Sequence, residues 1–305
     1  MWVLVAILLS TLLALTWPTA VLVARPALQP AFALTMLLVG TLVQREQVLA
    51  FLRTPWRPLV GLGAQYTIMP LAAGVVSWGF EDPMIRTGIV LVGCMPGAMA
   101  SNVMTVLLRG DLILSVTMTT VASLACPVVI GLWMPLLADT RIDLEVGSLM
   151  WNATWMVLLP VAAGIAFRCL RPRVAANWNR AATAIAAGSI VLIIMVVVAA
   201  NRSRLLTIGP ALALGMLALN LLGYGLAFAL ATLLGWPPAQ TRTLVIEVGM
   251  QNAGLGSVLA LAHLGDAGAV PSAFYTALCV VTAAFALPLV KWMRTEEEGR
   301  PSKPD

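Results

Sequence analysis

Runs of about 20 apolar residues, parted by short polar or Pro/Gly breaks, recur along the chain. As a helix, a run of that length matches the hydrocarbon thickness of a bilayer. A transmembrane strand would instead show alternating segments of about ten residues. Composition agrees, with 60% apolar and 10% charged residues. A typical soluble chain carries roughly 25% charge, and one with so little would expose large apolar patches and aggregate. In lipid the apolar surface is the outside. The pattern predicts an all-α polytopic membrane protein with almost no extramembrane domain.

Ten spans are expected, near residues 2–22, 28–44, 58–79, 84–108, 112–138, 147–169, 182–200, 208–234, 239–262 and 269–292. The opening MWVLVAILLSTLLALTW lacks a basic leader and a small-residue cleavage site, so it reads as the first span rather than a signal peptide. The polar tail, 294–305, should fray on the cytoplasmic side. If the N-terminus is cytoplasmic, 13 of the 18 Lys and Arg fall on inside loops or the tail. That bias predicts an even span count with both ends inside, in the cytoplasmic (inner) membrane. Two halves of five spans, about 1–140 and 146–293, would insert with opposite topology as an inverted repeat. Val92-Gly93 in the fourth span and Val248-Gly249 in the ninth, 156 residues apart, are a trace of that relation.

The net charge of +5 is spread over loop ends, which favours a membrane over a nucleic-acid partner, and no obligate protein partner is evident. Cys94, Cys126, Cys169 and Cys279 sit in or beside apolar runs without metal-binding spacing. Within the predicted hydrocarbon core one acidic side chain stands out, Glu247. A charge there costs at least about 2.5–3.5 kcal/mol, and intramembrane acids of this kind mark ion or proton sites. Glycines and amides surround it in Glu247-Val248-Gly249-Met250-Gln251-Asn252-Ala253-Gly254, a composition that favours a broken helix facing a cavity. Pro96 should split the fourth span in the same way. Ser101 and Asn102 then fall in the first turn of its second half, where free N–H groups attract anions. Ser115 and Thr119 share one helix face, with Thr120 and Ser123 continuing a hydroxyl-rich stretch, and Gln65 adds a core amide. Hydroxyls of this kind also serve packing and back-bonding to their own helix. Oxygen donors with a single carboxylate suit a hard monovalent cation, sodium above all, rather than zinc, copper or calcium.

The strings VGCMPGAMASNVMT (92–105), GDLILSVTMTTVASL (110–124) and IEVGMQNAGLGSVLA (246–260) resemble the bile acid:sodium symporter family, its bacterial members in particular. The likeness spans nearly the whole chain, including AQYTIMP at 64–70. It implies spans 4 and 9 broken and crossed at mid-membrane, a panel of spans 1, 2, 6 and 7, and a core of spans 3–5 and 8–10. It also implies two co-transported Na⁺ ions. The first would lie among Ser101, Asn102, Ser115, Thr119 and Glu247. The second would lie among Gln65, Glu247, Gln251 and the carbonyls of Val248 and Met250. Asn252, with Met99 and Ala100 in the turn after Pro96, would face an organic anion.

Two departures bear on that anion. The family often has a hydroxyl where this chain has Met99, and its bile-acid-transporting bacterial members can show a His-Asn pair at the positions aligned with Cys279 and Val280. A smaller carboxylate, such as a keto acid or a pantoate-like acid, is therefore at least as good a candidate as a bile acid. The chain reads as a secondary transporter working by alternating access, not an enzyme. No paired carboxylates are apparent in the core, and the single histidine, His263, is expected at a surface helix end. The alternative is a proton-coupled organic anion carrier that uses Glu247 as its relay; a channel would not accumulate substrate.

Overall fold

The computed structural model describes residues 12–172 and 209–298 continuously, together with isolated positions between 174 and 202. Predicted residues 2–11 of the first span, nine of the nineteen residues of the seventh span (182–200) and tail residues 299–305 lie outside the described residues. Among the described residues no strand occurs, and the one β-bridge pairs Gly97 with Gln251.

The helices are α1 (Pro18–Leu22), α2 (Leu28–Leu42), α3 (Arg45–Arg53), α4 (Trp56–Ser77), α5 (Pro83–Gly93), α6 (Ala100–Leu107) and α7 (Leu112–Leu137). They continue with α8 (Val146–Ala153), a π-helical turn at Thr154–Leu158, α9 (Leu159–Leu170), α10 (Gly209–Leu233), α11 (Pro238–Gly249), α12 (Ala253–His263) and α13 (Gly265–Glu298). Among the described residues, six stretches are long and apolar enough to cross a membrane: Pro18–Leu42, Trp56–Ser77, Leu112–Leu137, Val146–Leu170, Gly209–Leu233 and Gly265–Ala283. Helices α5 and α12 are shorter apolar helices.

Five expected spans, at 28–44, 58–79, 112–138, 147–169 and 208–234, match helical stretches within two residues at each end. The expected span at 84–108 is two helices, α5 and α6, and that at 239–262 is also two, α11 and α12. Two expectations need correction. The segment between 44 and 58 is not a plain loop, since it contains α3. Nine residues rise only about 14 Å, too short to span. Glu46 in the first turn and Arg53 in the last complement the helix dipole. The last helix also outruns 269–292 at both ends, from Gly265 to Glu298, and takes in 294–298 of the expected tail. Gly265 has φ +68°, a left-handed turn that only glycine adopts at little cost. Asp266 in the first turn and the helix-forming run KWMRTEEE carry the helix onward.

Local sequence fixes the helix starts that position the site. Asp82 caps α5 by accepting from the Met84 N–H at 2.8 Å, with Pro83 at the first helical position. Asp111 caps α7 by accepting from the Leu114 N–H at 3.0 Å. Two apolar clusters form the interior. One gathers Phe32, Met36, Leu149, Met156, Val258 and Leu259, the other Met69, Ile85, Ile89, Leu212, Met216 and Leu244. Helix α7 joins them, giving Ile130 and Met134 to the first and Leu114 and Met118 to the second. Helices α2 and α9 meet at Gly40 and Gly164, where an added Cβ would collide with a backbone carbonyl of the facing helix. In lipid, close packing of this kind, rather than a hydrophobic drive, holds helices together.

Beside the start of α5, Asp139 accepts from Arg141 Nε (2.9 Å) and Nη2 (2.8 Å), and Arg86 lies 3.2 Å from it. The hydrogen bonds from Arg141, side chain then backbone, hold the Asp139 carboxyl well below the usual carboxylate range, with attraction to Arg141 and Arg86 adding to them.

Candidate ion site at the meeting of two broken helices

Helix α5 ends at Gly93 and α6 begins at Ala100; between them lies Pro96, which has no N–H to continue a helix. Helix α11 ends at Gly249, Met250 is extended (φ −100°, ψ 94°), and α12 begins at Ala253. Asn252 caps α12, its Oδ1 accepting from the Leu255 N–H at 3.1 Å. Both breaks leave backbone groups that lipid could not satisfy. They satisfy each other by running antiparallel. The Ala98 N–H donates to Met250 O (2.7 Å) and the Asn252 N–H donates to Pro96 O (2.7 Å), with Gly97 opposite Gln251. A Cβ on Gly97 would stand 2.7 Å from Glu247 Oε2, so a glycine there lets the chain pass against the carboxylate.

Glu247, on the last full turn of α11, is fully buried. Ser101 Oγ (2.5 Å) and Ser115 Oγ donate to its Oε1, and Thr119 Oγ1 donates to its Oε2 (2.7 Å). The same hydroxyls face other acceptors. Ser101 Oγ is 2.5 Å from Ala98 O, Ser115 Oγ is 2.9 Å from Asn102 Oδ1, and Thr119 Oγ1 is 3.0 Å from Ser115 O. Each hydroxyl has one proton. The two Glu247 oxygens and Asn102 Oδ1 together offer about six lone-pair sites, and the three hydroxyl protons are shared between them and the carbonyls of Ala98 and Ser115. A buried cluster with more acceptors than protons is chemically matched to a cation, and its all-oxygen character matches a hard one. The five residues expected around a first ion, Ser101, Asn102, Ser115, Thr119 and Glu247, are thus brought together from α6, α7 and α11. Sequence reasoning missed Thr105, whose Oγ1 donates to Ser115 Oγ at 3.1 Å. It lies four residues after Ser101, on the same helix face, and that spacing is the signal that could have found it.

The residues expected around a second ion also meet. Gln65 Nε2 is 3.4 Å from Gln251 Oε1, and Gln251 Nε2 donates to Val248 O at 3.3 Å. Gln65 Oε1 is buried without a partner. Leaving such an acceptor unpaired costs about 1–3 kcal/mol, which a ligand would recover. Met250 O already accepts from Ala98, and a carbonyl has a second lone pair to offer.

The expected anion-facing positions fare differently. Met99 is half-buried and packs on the first apolar cluster, and Ala100 opens α6. Asn252 is 9% exposed, with its Oδ1 taken by the cap of α12. The N–H groups of Ser101 and Asn102 are not free as expected; they donate to Ala98 O (3.0 Å) and Met99 O (3.3 Å) within a tight turn. Nor is His263 a plain surface residue. It is half-buried at the end of α12, with its Nε2 2.6 Å from Asn152 Nδ2.

Residues 29–208 match the family described as the sodium bile acid symporter family. The chain belongs to that family. Its relatives include the sodium-dependent transporter YocS of Bacillus subtilis, 39% identical over 238 residues, which cover 78% of this chain and 74% of that protein. The ileal sodium/bile acid cotransporter of Cricetulus griseus is 31% identical over 232 residues, 74% of this chain and 66% of that protein. The human protein of the same name is 30% identical over 236 residues, 74% of this chain and 66% of that protein. These relatives carry the names of sodium-dependent transporters and cotransporters, and this chain is a membrane protein of that sodium-dependent transporter family.

Proposed function

We propose that the chain carries an organic anion together with two sodium ions by alternating access. The observation that carries this reading is the fully buried Glu247, met by hydroxyls from α6 and α7 where the two breaks pair. One ion bound by Ser101, Asn102, Ser115, Thr119 and Glu247 would neutralise the carboxylate. A second, bound by Gln65, Gln251, Glu247 and the carbonyls of Val248 and Met250, would pin α11 to α4. With its charge compensated, the meeting point of α6 and α12 offers helix N-termini to an anion. Ten spans in two inverted halves, about 1–140 and 146–293, give the frame. Spans 1, 2, 6 and 7 would act as a panel against a core of spans 3–5 and 8–10, with both termini in the cytoplasm and the protein in the inner membrane. The packing of α2 on α9 at Gly40 and Gly164 supports that panel.

Sodium coupling is favoured over a proton relay by the all-oxygen donor set that α6, α7 and α11 gather around Glu247, which suits a hard cation. The substrate reading is an organic anion, bile-acid-like or a smaller carboxylate such as a keto or pantoate-like acid, with Met99 lacking the hydroxyl that could meet a substrate carboxylate. The coupling is reciprocal: each ligand raises affinity for the other by the same factor. Purified protein heated with a panel of organic acids, in NaCl or in KCl, tests this. Stabilisation by one class of acid in NaCl alone is expected. Equal stabilisation in both salts, or one that tracks pH and ignores sodium, would refute the coupling.

A further inference from the structure

The last carbonyl of α11, that of Gly249, has no partner further along its own helix because the chain breaks at Met250. It accepts two hydrogen bonds from other helices. Asn220 Nδ2 of α10 donates to it at 2.8 Å and Tyr275 Oη of α13 donates at 2.7 Å. Both side chains are fully buried. Thr282 Oγ1, two turns along α13, lies 2.7 Å from Asn220 Oδ1, so the amide is held at both ends. Asn220, Gly223 and Tyr224 occupy one face of α10. Gly223 packs within 3.2 Å of the Gly249 Cα, measured from where its own Cβ would lie, and any Cβ on Gly249 would collide with the Tyr224 ring.

We propose that Asn220 and Tyr275 are positioning residues for the second sodium site, clamping the Gly249 carbonyl so that its neighbours Val248 and Met250 present theirs to the ion. This rests on the sodium-coupled reading above. The clamp stands between the two carbonyl ligands and two residues from the Glu247 carboxylate, so any give in it moves three ligands together. An ion is held only while its donors keep their coordination distances, so movement at the clamp is felt at the ion. The clamp also ties α10 and α13 to the break, so neither helix can shift without moving the ion's donors.

Tyr275→Phe removes one hydroxyl and leaves the ring's packing intact. Its test is the thermal midpoint of purified protein titrated with NaCl at constant ionic strength, KCl making up the balance. The half-stabilising sodium concentration should rise about five-fold, as expected for loss of one buried hydrogen bond. Asn220→Ala should raise it further, and Thr282→Val less. Thr87→Val is the control, because it deletes a different bond to a buried side chain, the Asp139 N–H to Thr87 Oγ1 at 3.2 Å, away from the break. It should lower the melting temperature in both salts without moving the sodium midpoint. A wild-type sodium midpoint in Tyr275→Phe overturns the clamp, as does an equal shift in Thr87→Val. Wild-type protein that sodium does not stabilise would instead refute the sodium reading itself, which keeps the two failures apart.

Discussion

Gly97→Ala tests how closely the two breaks must approach. The backbone at Gly97 is not in the left-handed region, so alanine adopts it without strain and only the new methyl matters. That methyl would sit 2.7 Å from Glu247 Oε2, and its other nearest neighbours, Glu247 O at 3.5 Å and Gln65 Nε2 at 3.6 Å, are in ordinary contact. Restoring normal spacing needs a shift of about 0.8 Å, since non-bonded heavy atoms settle near 3.5 Å. Backbone on both sides is tied by the Ala98–Met250 and Asn252–Pro96 hydrogen bonds, so the carboxylate must move. It then loses the bond from Thr119, now 2.7 Å to Oε2. A hydrogen bond to a charged group is worth about 1.5–3 kcal/mol, and the displaced ion ligand should lose a similar amount. At 1.4 kcal/mol per factor of ten, sodium affinity should fall roughly ten- to a hundred-fold. The assay is sodium titration of thermal stability, with Gly63→Ala beside it. A Cβ on Gly63 meets nothing within 4 Å, so that variant should be neutral or slightly stabilising. A Gly97→Ala protein that folds and keeps the wild-type sodium midpoint would refute the reasoning.

Two further outcomes follow from the same geometry. Ser115→Ala removes the hydroxyl shared by Glu247 and Asn102, and should raise the half-stabilising sodium concentration about five- to ten-fold, as sodium titration would read. An unchanged midpoint would take Ser115 out of the ligand set. Asp139→Asn should lower the melting temperature at neutral pH. The native carboxyl is held below its ordinary value, so its contribution is fully present above the unfolded value near 3.9 and fades as pH falls below it. The gap between wild type and variant should be widest at neutral pH and narrow as pH falls from about 4 to 3, without closing there, because the folded carboxyl gives up its charge only at lower pH. A constant gap would count against the Arg141 pairing.

Much of this arrangement was legible in sequence because membrane interiors penalise polarity. Glu247 stood out as the one acid in the predicted hydrocarbon core, and Pro96 and the Gly-Met-Gln-Asn run marked both breaks before any coordinates. Ser115 and Thr119 declared a shared face by their spacing. Other features depended on partners distant in the chain. The antiparallel pairing of Gly97 with Gln251 joins residues that no periodicity connects. Asn220 and Tyr275 each sit alone in apolar runs, and only the fold shows that both reach Gly249 O. Helix α3 was missed because nine amphipathic residues fall below any spanning window, and α13 was drawn short because polarity ends a span without ending a helix. The role of Asn252 divides in the same way. The family resemblance implies that it faces the anion, while only the fold shows that its oxygen caps α12.

Direct binding of radioactive sodium to purified protein, wild type beside Glu247→Gln, bears most closely on whether that carboxylate holds the ion. The glutamine keeps the shape and removes the charge. One unit charge about 4 Å away, at an effective dielectric near 20, is worth about 4 kcal/mol, or roughly a thousand-fold in affinity. Saturable sodium binding by wild type, unmatched by potassium and lost in Glu247→Gln, is the predicted result. Equal sodium binding by both proteins would contradict it.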